Sequence, residues 1–154
     1  MHNHFKKTKN LSLCSEIMIN SRKIILAKPT TYMNESGMAV QKLVKKYGLN
    51  DLQKMLIIHD ELDLNPGSLK VKIGGGLAGH NGLKSIAQHM KSNDFGRLRI
   101  GIGRPSQGQL GKNYVLKSPN KSEAKKIALC NEKASEAIEK ILNDGYASAM
   151  NQFN

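Results

Sequence analysis

The sequence predicts an α/β fold: a single-domain α/β/α sandwich around a mixed sheet, spanning residues 1–154. Three observations lead there. Strand-like apolar patterns alternate with helix-like ones along the chain, as in layered α/β domains. Met55-Leu56-Ile57-Ile58 is continuously apolar, which suits a strand buried on both faces. A chain of 154 residues, 39% of them hydrophobic, suits one domain with a core of its own.

The elements follow in order. Residues 1–14 are expected to be disordered or atypical, and Met1-His2-Asn3-His4-Phe5-Lys6-Lys7 lacks the apolar core of a signal peptide. Residues 15–27 read as a β-hairpin: Ile17-Met18-Ile19 and Ile24-Ile25-Leu26 flank the turn-forming Asn20-Ser21-Arg22-Lys23. Pro29 ends the second strand, and Thr30–Asn34 is a connector. Val40, Leu43, Val44 and Tyr47 then recur at helical spacing, with Gly48 as the stop. The apolar strand at 55–58 ends in His59-Asp60-Glu61, and Asn65-Pro66-Gly67 makes a turn. Leu69, Val71 and Ile73 alternate with Lys70 and Lys72, and Leu98, Ile100 and Ile102 with Arg97, Arg99 and Gly101. Both strands therefore carry one apolar and one basic face. Leu83, Ile86, Ala87 and Met90 mark a helix. Residues 106–113 read as a polar loop. Ser118-Pro119 opens the last helix, whose inward stripe is Ile127, Cys130, Ala134, Ala137, Ile138 and Ile141. Asp144-Gly145 breaks it before a short terminal helix.

The formal charge is +12, which favours a polyanionic partner, nucleic acid first. The excess is uneven, with nine basic and two acidic residues over 1–50 and seven and five over 51–100. Cys14 and Cys130 lie far apart and form no metal-spaced pair, so free thiols in a reducing cytoplasm are expected. No segment approaches the roughly 18 apolar residues of a membrane span.

Chemistry is concentrated in Gly74-Gly75-Gly76-Leu77-Ala78-Gly79-His80-Asn81-Gly82-Leu83-Lys84. This glycine-rich loop delivers His80 and Asn81 to a helix N-terminus, whose free N–H groups suit a phosphate or a developing oxyanion. It equally suits a flexible loop with Asn81 as an ordinary cap. It spells neither a P-loop nor the dinucleotide fingerprint, which weakens a nucleotide-binding reading. Asp60, at the end of an apolar strand, can orient a histidine that activates water; a turn or capping role fits its position as well. His59 and His80 are available histidines. Lys70, Lys72, Arg97 and Arg99 form either a phosphate-binding patch or a solvated sheet face.

These residues resemble the bacterial peptidyl-tRNA hydrolases. The resemblance rests on Pro29-Thr30-Thr31-Tyr32-Met33-Asn34-Glu35-Ser36-Gly37, His59-Asp60-Glu61-Leu62-Asp63, the glycine block through Lys84, and Arg97-Leu98-Arg99-Ile100-Gly101-Ile102-Gly103-Arg104-Pro105. The closing Ala149-Met150-Asn151-Gln152-Phe153-Asn154 fits too, while Ala78 stands where many members have glycine. The resemblance implies cleavage of the ester between peptide and tRNA, with peptidyl-tRNA as partner and no cofactor or metal. It implies that Asp60 holds the catalytic histidine in its basic form, and that Asn81 binds substrate and helps place the attacking water. Tyr32 and Asn34 would line the tRNA end, Met33 would pack on the substrate, and His80 would support the site. Lys70, Lys72, Arg97 and Arg99 would meet tRNA phosphate.

Family members begin with a buried strand, a Gly-Leu-Gly-Asn-Pro-Gly loop and a Thr-Arg-His-Asn motif carrying the general-base histidine. None of these is read here, and the echo in His2-Asn3 is treated as coincidence. The expectation is a truncated member lacking the family's first, central strand, poorly active alone, with exposed backbone edges and apolar surface. Two functions follow: a cytoplasmic, monomeric hydrolase with neither a membrane nor a DNA partner, or a catalytically impaired tRNA-binding remnant.

Overall fold

In the computed structural model the described residues are 4–9, 11–105 and 116–154. The fold class is α/β, as the sequence predicts. The expected loop over 106–113 and His2 lie outside the described residues. The chain divides into two compact units, one formed by Met1–Asp51 and Gly76–Asn93, the other by Leu52–Gly75 and Asp94–Asn154. Instead of one mixed sheet there are two three-stranded sheets, one in each unit.

The first unit holds β1 (Lys6–Lys7), β2 (Ser12–Ile19) and β3 (Arg22–Pro29), all antiparallel. The hairpin is tighter than the sequence suggests. Only Asn20 and Ser21 turn, at φ 49° and 60°, and Arg22 and Lys23 belong to the strand. Two residues at positive φ match the twist of the flanking strands. Eight pairs, from Ser12 with Pro29 to Ile19 with Arg22, make the sheet a local one that needs no crossover. A 3-10 turn (Met33–Glu35) leads into α1 (Ser36–Tyr47), which Gly48 caps at φ 63°. Helix α1 packs on α2 (Asn81–Met90). Their approach is close at Gly37, whose N–H donates to Ser85 Oγ at 2.9 Å. A Cβ on Gly37 would overlap the Ser85 carbonyl oxygen and the His89 ring.

The second unit holds β4 (Leu56–Glu61), β5 (Leu69–Ile73), β6 (Gly96–Gly101) and α3 (Lys121–Phe153). Strand β6 is central, parallel to β4 and antiparallel to β5. The core joins Leu69, Val71 and Leu98 to Cys130, Ala134, Ala137 and Ala149 of α3. The expectation that 55–58 is buried on both faces is corrected: β4 is an edge strand, and Ile58 is 55% exposed. Helix α3 starts later than Ser118-Pro119. Asn120 accepts from the Glu123 N–H at 2.9 Å, and the Glu123 carboxylate accepts from the Asn120 N–H at 3.0 Å. This capping box satisfies two N-terminal donors and sets the boundary. Gly145 leaves helical geometry at φ 85°, so the predicted break is present. Beyond it, the Asn154 amide accepts from the Val71 N–H and donates to the Val71 carbonyl, both at 2.8 Å. A side chain thus takes the place of a neighbouring strand on the outer edge of β5.

Cys14 and Cys130 are buried free thiols. Burial pushes the Cys130 thiol up, with Lys133 opposing. Among the described residues no helix is long and apolar enough to cross a membrane.

Two substitutions test this packing by denaturant unfolding. Gly37→Ala should cost about 2–3 kcal/mol, because the added methyl meets backbone that must shift. Asn154→Ala should cost about 1–2 kcal/mol, because both polar groups of Val71 lose their partner. Unchanged midpoints would contradict these contacts.

Candidate active site

The residues picked out from the sequence fall into two groups, one in each unit. In the first unit, Tyr32 is 82% exposed and Met33 52% exposed. Asn34 is exposed beside them. They sit at the 3-10 turn, which packs on α2. Gly82 makes this possible: a Cβ there would lie 2.7 Å from Met33 Sδ and 3.0 Å from His80 Cε1. The Met33 sulfur and the His80 ring therefore both rest on a bare stretch of helix.

His80, rather than Asn81, caps α2. Its backbone is extended, and its Nδ1 accepts from the Leu83 N–H at 3.2 Å. An accepting Nδ1 carries no proton, so the neutral ring holds its proton on Nε2. Asn81 is the first helical residue and is exposed. The structure thus brings together Met33 and His80 around Gly82, with Asn81 beside them in sequence and open to solvent.

In the second unit, strand alternation separates two faces. Asp60 pairs with Ile100 and Ile58 with Leu98; His59 pairs with Arg99, which also faces Lys70, and Lys72 faces Arg97. Asp60, half-buried, is therefore on the sheet face opposite the four basic residues. Those four are not alike. Lys70 is exposed and Lys72 half-buried, whereas Arg97 is 1% exposed. Arg97 Nε donates to His59 Nε2 at 3.2 Å, and Nη1 donates to the Gly74 carbonyl at 3.3 Å. Burial lowers the Arg97 pKa from its ordinary value, Arg99 adds to that, and Glu61 opposes it. Arg99 Nε and Nη2 meet Glu61 Oε1 at 2.8 and 2.7 Å.

Two expectations are corrected. Arg97 offers a polyanion no surface, because the middle strand buries it. His59 is not an available base. Its Nδ1 lies 2.8 Å from the Asp60 carbonyl, which only accepts, and its Nε2 faces a guanidinium, which only donates. Both ring nitrogens are committed in the Nδ1–H tautomer. Sequence reading missed Glu61 and His59 as partners of the arginines. The one signal was their matching i, i+2 spacing, His59/Glu61 against Arg97/Arg99.

The profile of the family described as "Peptidyl-tRNA hydrolase" matches residues 1–154. The peptidyl-tRNA hydrolase of Beijerinckia indica is 52% identical over 112 residues, 73% of this chain and 56% of that protein. That of Ruthia magnifica is 40% identical over 148 residues, 96% of this chain and 77% of that protein. The crystal structure of peptidyl-tRNA hydrolase from Acinetobacter baumannii superposes with a TM-score of 0.91 at 35% identity, covering 99% of this chain and 77% of that one.

Gly82→Ala should fold with stability within about 1 kcal/mol of the parent, since alanine is the better helix former and the atoms it meets are ends of side chains. The Met33 methyl and His80 ring NMR signals should shift. Unshifted signals would contradict the packing around Gly82.

Proposed function

The chain belongs to the peptidyl-tRNA hydrolase family, and from that premise we propose that it hydrolyses the ester between peptide and tRNA. The observation that carries this is the match of one family over 1–154, joined to the same fold at a TM-score of 0.91. That match also supports reading both units as one peptidyl-tRNA hydrolase-like domain. We read it as a monomer acting in the cytoplasm, rescuing tRNA from stalled translation, with no DNA or membrane partner.

In this reading water attacks the ester carbonyl. Asp60 holds a histidine in its basic form, and that histidine takes the water proton. His59 is excluded from the role by its two committed nitrogens. Asn81, open at the start of α2, binds substrate and helps place the water. N–H groups of that first turn suit the oxyanion as it forms. His80 supports Asn81 by holding the helix start, Met33 packs on the substrate, and Tyr32 and Asn34 line the tRNA end. Lys70 and Lys72 meet phosphate, Arg99 doing so while paired to Glu61. A net charge of +12 suits a tRNA partner.

The test is release of an N-acetylated amino acid from tRNA by the purified chain. Asp60→Ala should lower kcat/KM about a hundredfold or more, the size of a general acid–base contribution. Hydrolysis unchanged in Asp60→Ala would remove Asp60 from the mechanism. A chain that binds tRNA without hydrolysing it would favour the binding remnant.

A further inference from the structure

Arg97 is a buried cation that the proposed chemistry does not use. Its surroundings give it another task. The guanidinium spans three segments of the second unit: its own central strand, His59 on β4, and Gly74 just beyond β5. Gly74 is held at both polar groups, its N–H donating to the Phe95 carbonyl at 3.1 Å and its carbonyl accepting from Arg97. Its φ is 62°, and that of Gly75 is 86°, so the chain turns sharply where Arg97 grips it.

Lys72 lies across this corner. A Cβ on Gly75 would overlap Lys72 Cε and lie 2.5 Å from Lys72 Nζ. Lys72 and Arg97 are also direct partners in register. Like charges placed so repel unless one is directed away. Arg97 is tied inward to His59 and Gly74, which leaves the outer space over Gly75 to the Lys72 ammonium.

We infer that Arg97, held by His59, is a positioning residue that fixes the Gly74–Gly75 corner and thereby sets the Lys72 ammonium to receive a phosphate. The inference rests on the reading that the polyanion is tRNA. His59 is the acceptor that aims the guanidinium, and Arg97 reaches the nucleic acid only through Lys72.

The experiment is a double-mutant cycle on the full chain. Binding of deacylated tRNA is measured by fluorescence anisotropy over a range of salt concentrations, alongside thermal melts. Lys72→Ala should weaken binding about fivefold and flatten the slope of log affinity against log salt by about one phosphate contact. Arg97→Lys, which keeps the charge but loses the fork, should do the same. The double variant should be no weaker than Lys72→Ala alone, since residues in one network are not additive. His59→Gln, which keeps an acceptor, should bind like the parent, and His59→Leu should resemble Arg97→Lys. A merely structural arginine would leave the salt slope unchanged and its effect would multiply with that of Lys72→Ala; either result in folded protein overturns the inference. If Arg97→Lys fails to fold, the His59 pair decides, and equal binding by Gln and Leu overturns it. A parent chain that binds no tRNA at low salt overturns the tRNA reading itself, and this inference with it.

Discussion

A guanidinium with 1% exposure is the constraint around which the second unit is arranged. An unpaired buried charge is costly enough that structure must form about it. Arg97 is answered by a lone pair on His59 and a carbonyl on Gly74. Each answer fixes something else: the first sets the tautomer of His59, the second holds the chain where it leaves β5. The neighbouring arginine obeys the same rule with a full ion pair, Glu61 accepting both Arg99 contacts on one oxygen. The polar face of this sheet is thus largely an internal network, with Arg99 half-buried beside Glu61 and the lysines of the edge strand toward the solvent side.

The first unit is governed by close approach instead. Gly37 lets α1 lie against the Ser85 carbonyl of α2, and Gly82 lets Met33 and His80 settle on the start of α2. Gly96 plays the same part in the second unit, where Tyr146 passes over it to donate to the Gln53 carbonyl at 2.9 Å. Conformational freedom is the usual reason given for glycine. At these three positions the reason is the missing Cβ.

The capped helix start links packing to chemistry. His80 spends Nδ1 on the Leu83 N–H, which holds the first turn in place and leaves its proton on Nε2. Asn81 is then the first exposed side chain of a rigid helix rather than the last residue of a loop. A side chain at a helix start is best placed when its backbone is restrained, and here the His80 cap supplies that restraint for Asn81.

Local patterning determined much of this protein. The hairpin, the strands at 56–61, 69–73 and 96–101, the stripes of α1, α2 and α3, the Gly48 stop and the Gly145 break all follow from period-2 and period-3.6 spacing and from turn chemistry. The motifs around Tyr32, Asp60 and His80 were legible as well, because the identity and spacing of residues carry a family resemblance without coordinates. Tertiary structure alone decided which of four evenly alternating cations are surface and which are buried. Lys70, Lys72, Arg97 and Arg99 look equivalent in the chain, yet β5 became an edge and β6 the centre. Strand order depends on contacts far apart in sequence, and a period of two reports which face a residue occupies, never how many neighbours cover it.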